Sequence, residues 1–88
     1  MNFELGKTVI TVNAKEQLDS ESVAKALIER YANCDWGELC EEDKQTNEDA
    51  LKYGGRLFGA YSDVNGIRFW IITEADRSYT TVLLPEDY

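Results

Sequence analysis

A chain of 88 residues that is 43% hydrophobic, with 17 acidic against 9 basic residues, has room for one domain around one modest core and carries a formal net charge of −8. That balance argues against direct binding of nucleic acid, whose phosphates call for Lys and Arg, and against an anionic membrane surface. It suits a protein partner that is itself basic, such as a nucleic-acid-binding protein.

The chain has no histidine, which removes the commonest general base and metal ligand and every Ser-His or Cys-His nucleophile, so neither an enzyme nor a cofactor is expected. No apolar run approaches the ~20 residues of a spanning helix. The start, Met1 to Lys7, has neither a basic region nor a long apolar stretch of a signal peptide. The expectation is a cytoplasmic protein whose Cys34 and Cys40 stay reduced.

In chain order, the β-branched run at 7–12 reads as a strand. Asp19 or Ser20 then N-caps a helix with Glu21 in its first turn. Val23, Leu27 and Tyr31 recur every four residues beside Ala24 and Ile28, while Lys25, Glu29 and Arg30 fall on the other side. This predicts an amphipathic helix of about 13 residues. A second helix is predicted over 41–53, ending at Gly54-Gly55; its few apolar positions, Ala50, Leu51 and Tyr53, leave it mostly exposed.

Asn65-Gly66 between Val64 and Ile67 predicts a two-residue hairpin turn. With Val64 opposite Ile67, Ser62 faces Phe69, Ala60 faces Ile71 and Phe58 faces Thr73; on the other side Asp63 meets Arg68, Tyr61 meets Trp70 and Gly59 meets Ile72. A polar loop at 75–78 leads to a last strand near 79–84, with Glu74 opposite Tyr79. The core face then holds Phe58, Ala60, Val64, Ile67, Phe69, Ile71, Val82 and Leu84. The second face holds Tyr61, Trp70, Ile72 and Leu83. The expected fold is α+β, in the order β-α-α-β-β-β: an antiparallel sheet of three to four strands, one amphipathic helix packed on one face, and a second, acidic helix.

Two surfaces are candidates for a partner. Residues 35–49 hold Asp35, Glu38, Glu41, Glu42, Asp43, Glu48 and Asp49 against Lys44 alone, seven acids less one base, or −6 of the total −8. Such a cluster steers association with a basic partner, and Glu41-Glu42-Asp43 resembles a short run of phosphates. The competing account is a solvated face whose first-turn acids stabilise the helix dipole. The segment lacks calcium-loop spacing, Cys34 and Cys40 lack a second ligand pair for zinc, and Gly54-Gly55 lacks a phosphate-loop context. The second surface is the apolar patch of Tyr61, Trp70, Ile72 and Leu83. It is either covered by residues 1–6 or by the 35–53 segment through Trp36 and Leu39, or left open as an interface, including one between two copies of the chain. Asp76 and Arg77 read as a turn-stabilising acid and a solvated base, and Trp36-Gly37 as a plug under a loop.

Three stretches carry a resemblance: 34–43 (CDWGELCEED), 50–57 (ALKYGGRL), and 69–78 (FWIITEADRS) with the ending 80–88 (TTVLLPEDY). Over about its C-terminal 55 residues the chain resembles small accessory proteins of bacterial plasmids, conjugative elements and prophages. The resemblance brings no residue roles. It implies a setting in which small acidic proteins inhibit host defence, as anti-CRISPR and anti-restriction proteins do. The expected function is therefore an acidic, DNA-mimicking interaction protein that inhibits a host nucleic-acid-binding defence complex through the 35–49 segment. The alternative is an accessory or regulatory subunit that binds an element-encoded protein through the second sheet face.

Overall fold

The computed structural model describes residues 3–88; Met1 and Asn2, part of the expected 1–6 cover, lie outside the described residues. The order is β1 (Lys7–Ile10), α1 (Val12–Gln17), α2 (Ser20–Lys25) running on through a π turn (Ala26–Arg30) and a 3-10 turn (Tyr31–Asn33), α3 (Glu41–Tyr53), β2 (Leu57–Ser62), β3 (Arg68–Thr73), β4 (Tyr79–Leu83) and a 3-10 turn (Pro85–Asp87). The α+β class, the four-strand sheet and both anticipated helices are present. α1 was not anticipated: Thr11 caps it, its hydroxyl accepting from the Ala14 N–H, and shortens the first strand to four residues. Asp19 caps α2 through the Ser22 N–H at 2.9 Å.

The sheet is mixed. Its order is β1-β4-β3-β2, with β1 parallel to β4 and the other pairs antiparallel. The antiparallel expectation holds for β2, β3 and β4 and fails at β1, which is joined to the other strands by a crossover through the helices and lies beside β4 in the same direction. β3 and β4 pair as expected, with Ile71 opposite Val82.

The β2–β3 hairpin is offset by one residue from the sequence reading: Tyr61 pairs with Phe69, Ala60 with Trp70, Phe58 with Ile72 and Ser62 with Arg68. The cause is Asp63. One of its carboxylate oxygens accepts from the N–H groups of Asn65 and Ile67, each at 2.9 Å, and the other accepts from the Asp19 N–H at 3.0 Å. The Gly66 N–H donates to the Asp63 carbonyl with φ +80° at Gly66, so the loop is the three residues Val64-Asn65-Gly66 and not the pair Asn65-Gly66. One residue of slip turns every side chain of β2 over. Leu57 and Tyr61 enter the core, Phe58 and Ala60 face away from it, and Val64, expected inside, is 78% exposed at the loop tip.

The core lies between the sheet and the helical layer, built from Leu57, Tyr61, Phe69, Ile71, Val82 and Leu84 against Ala14, Leu18, Ala26, Tyr31, Trp36 and Ala50. Gly59 sits beneath two tyrosines; a Cβ there would come within 2.9 Å of Tyr31 and 2.6 Å of the Tyr61 hydroxyl. A buried hydroxyl chain crosses this layer. Thr80 donates to the Leu5 carbonyl at 2.6 Å, which obliges Thr73 to donate to Thr80 and Tyr31 to donate to Thr73, each at 2.7 Å. Burial pushes the Tyr31 phenol well up, keeping it a donor.

Candidate partner-binding surfaces

The two surfaces meet at β2, an outer strand of the sheet. Asn47 of α3 donates to the Phe58 carbonyl at 2.6 Å and accepts from the Phe58 N–H at 3.1 Å, so one side-chain amide satisfies both outward backbone groups of that residue. The next outward pair, on Ala60, is taken by the Trp36 carbonyl at 3.2 Å and the Glu38 N–H at 2.8 Å. Gly37 lies between them with φ +76°, where a Cβ would stand 2.1 Å from the Ala60 carbonyl oxygen. At its other end α3 is clasped by Arg77, whose guanidinium donates to the carbonyls of Ala50 at 3.2 Å and Gly55 at 2.6 Å. Arg77 also donates to the Glu74 carbonyl at 3.1 Å, so it is a buried-side clasp and not the solvated base expected from its loop. Asp76 does hold the turn, through the Ser78 N–H at 3.0 Å. These polar clasps explain how a helix with so few apolar residues docks firmly.

The seven acids of 35–49 separate into two groups. Asp35 receives Arg30 at 2.9 Å and the Gly37 N–H at 3.1 Å, and the Arg30 hydrogen bond holds its carboxyl below the usual range. Glu38 meets Arg68 at 3.6 Å and accepts from Ser62. These two acids belong to the β2 edge and have their own counter-ions. The other five sit on α3. Glu48 accepts from the Trp36 indole N–H at 2.9 Å, which orients the buried plug residue between Phe3 and Tyr31. Glu41 has a loose contact to Lys44 at 3.7 Å, and Asp49 accepts from Gln45 at 3.1 Å. Glu42 and Asp43 are exposed, and neither side chain has a partner among the described residues.

Helical geometry arranges four of the five. Glu41 and Glu48 are seven residues apart, as are Glu42 and Asp49, which makes two neighbouring rows with carboxylates about 10 Å apart along the axis. Both rows lie away from buried Asn47 and Ala50. Asp43 falls on a different side. The sequence cluster is thus partly compensated, and what stands open is the outward side of α3.

The second sheet face is reshaped by the hairpin register. Tyr61 is not on it: the ring is 0% exposed, and its hydroxyl donates to the Asp35 carbonyl at 2.7 Å. Its place is taken by Phe58 and Ala60, beside Trp70, Ile72 and Leu83. Phe58 meets Trp70 edge-on at 5.1 Å. The expected covers do not reach this face, since Phe3, Leu5, Trp36 and Leu39 all pack into the core on the opposite side. Instead the C-terminal residues cross it. Asp87 accepts from Thr11 at 2.7 Å, from Asn13 at 3.1 Å and from the Leu84 N–H at 3.1 Å, which holds its carboxyl low. Tyr88 then lies against Trp70 at 5.7 Å, with Arg56 beside its ring. Arg56, Leu57, Phe58, Ile72 and Tyr88 line a cleft of about 280 Å³. Sequence reasoning missed Phe58, Arg56 and Tyr88. The signal for Phe58 was Asp63, two residues before Asn65, whose side chain selects the longer loop; a lone terminal tyrosine carries no periodic signal.

Among the described residues no group of three or more Cys, Asp or Glu side chains is placed to hold a metal ion, and no helix is long and apolar enough to cross a membrane. Comparison with protein-family models, with curated proteins and with solved structures finds no match.

Proposed function

We propose that this chain is an interaction protein that binds and inhibits a basic, nucleic-acid-binding protein by laying the outward side of α3 into the groove meant for nucleic acid. The observation that carries the reading is the double row Glu41/Glu48 and Glu42/Asp49 on one side of a clasped helix whose own cations are Lys44 and Lys52, with Glu48 also holding the Trp36 indole N–H. Concentrated, rigidly held charge raises encounter rate and selects partners of opposite sign. Asp35 and Glu38 drop out of the contact, because Arg30 and Arg68 already occupy them. The resemblance to mobile-element proteins supports a host defence complex as the target class.

The test is retention from a nuclease-treated bacterial lysate by immobilised wild type and by the double variant E42K/D49K. Wild type should hold a basic nucleic-acid-binding protein that duplex DNA displaces and that salt elutes, as screened charge requires. The double variant should lose it while keeping the same circular-dichroism spectrum. Equal retention by both proteins, or failure of DNA to compete, removes the reading.

A further inference from the structure

The cleft lined by Arg56, Leu57, Phe58, Ile72 and Tyr88 joins apolar walls to a cation with donors to spare. Its volume of about 280 Å³ stands at the small end of ligand sites, which run from about 300 to 1,000 Å³, so it admits a single ring and excludes larger cofactors. Leu57 and Ile72, both buried, close its floor. Two aromatic side chains flank it. Phe58 is half-buried and meets the Trp70 ring edge-on at 5.1 Å; Tyr88 is exposed and meets the same ring edge-on at 5.7 Å.

A guanidinium has five N–H donors. Arg56 uses one of them among the described residues, from Nη1 to the Tyr88 hydroxyl at 3.3 Å. The Glu74 carboxylate stands 3.8 Å from Nη2, outside hydrogen-bond reach. Arg77 offers the contrast: its guanidinium is taken up by the carbonyls of Ala50, Gly55 and Glu74.

We propose that this cleft binds a small aromatic carboxylate, with the ring against Phe58, Ile72 and Tyr88 and the carboxylate on the free N–H groups of Arg56. The lining selects the ligand class. Apolar walls reject a strongly hydrated ion, whose lost water they do not replace. A cation would face Arg56. A dianion such as a phosphate monoester would find one guanidinium, the Glu74 carboxylate beside it and a chain of net charge −8. One planar carboxylate matches the guanidinium fork and needs no second cation. An aromatic ring can meet Phe58 and Tyr88 edge to face, the arrangement both already adopt toward Trp70. The inference does not rest on the reading of α3.

Phenylacetate is the probe. Benzyl alcohol, which has the ring without the charge, and acetate, which has the charge without the ring, are its controls. In a proton–nitrogen NMR titration, phenylacetate should move the Trp70 indole N–H and the amides of Phe58, Ile72 and Tyr88 along one saturable curve, with a Kd of about 0.1–1 mM as befits a ligand of about ten non-hydrogen atoms. Both controls should bind at least tenfold more weakly. Arg56→Gln should weaken phenylacetate at least tenfold and leave the benzyl alcohol shifts unchanged, whereas Tyr88→Ala should weaken both. Equal affinity for phenylacetate and benzyl alcohol, shifts that do not saturate by about 10 mM, or shifts centred away from the cleft overturn the inference. That comparison needs only the wild-type chain, so it decides the matter whether or not the variants fold. Phenylacetate binding indifferent to Arg56→Gln overturns the pairing of carboxylate with Arg56.

Discussion

Five aspartates outside α3 and the acids of α3 look alike in a charge count and do different jobs. Asp19, Asp35, Asp63, Asp76 and Asp87 each accept at least one backbone N–H: from Ser22, Gly37, Asn65 with Ile67 and Asp19, Ser78, and Leu84. An aspartate carboxylate is one methylene from the backbone and reaches N–H groups two or three residues on, so it closes turns and caps helices. The glutamates of α3 stand one carbon further out on a helix whose own bonds are already made. Glu48 holds the Trp36 indole N–H and Glu41 has a loose contact to Lys44, while Glu42 is left for solvent or for a partner. A net charge of −8 therefore overstates the acidity on offer, and α3 carries the densest part of what remains.

This contrast can be broken most sharply at Asp63, which is 6% exposed. Asp63→Ala would strand three N–H donors and release the loop that sets the hairpin register, so it should give the largest loss of thermal stability of any change here, about 10 °C or more in Tm. Asp63→Asn, which keeps an acceptor oxygen, should lose less. Calorimetry of the pair measures the difference.

Next comes Asn47→Ala, which leaves both outward groups of Phe58 without their partner and should cost about 2 kcal/mol by urea unfolding. Tyr61→Phe should cost about 1–2 kcal/mol, because the Asp35 carbonyl loses its donor. It should leave partner binding unchanged, in contrast to what a surface Tyr61 would do.

Acidification sharpens the comparison further. The carboxyls of Asp35, Asp63, Asp76 and Asp87 are all held below the ordinary value by hydrogen bonds, to the Arg30 side chain, the Asp19 N–H, Ser78 and the Thr11 hydroxyl respectively. The unfolded chain takes up protons first as pH drops, so the stability these groups give is fully present above about pH 4 and is lost progressively below it. Urea midpoints from pH 7 down to about pH 2 should show a slope that flattens in Asp87→Asn. The smallest effect on stability should come from E42K/D49K, within about 0.5 kcal/mol of wild type, although it removes the proposed contact.

Much of the architecture was legible in local chemistry. Asp19 and the stripe Val23, Leu27, Tyr31 marked α2, and Gly54-Gly55 marked the end of α3. The β3–β4 pairing followed from the short loop and the alternation around Ile71 and Val82. The β2 register was misread because Asn65-Gly66 is a strong turn signal only when no neighbouring side chain offers a better one, and Asp63 did. That single residue decided whether Tyr61 or Phe58 shared a face with Trp70.

By itself the sequence determined the α+β class, the extent of the acidic helix, the concentration of carboxylates and the lack of any imidazole chemistry, since these depend on composition and on neighbours a few residues away. Only the tertiary structure decided which carboxylates keep a counter-ion, that Arg77 clasps α3, that β1 runs parallel beside β4, and that the C-terminal tyrosine packs against Trp70 on the second sheet face. Those outcomes join residues tens of positions apart, where periodicity carries no signal and only the closing of the fold brings the partners within hydrogen-bonding reach.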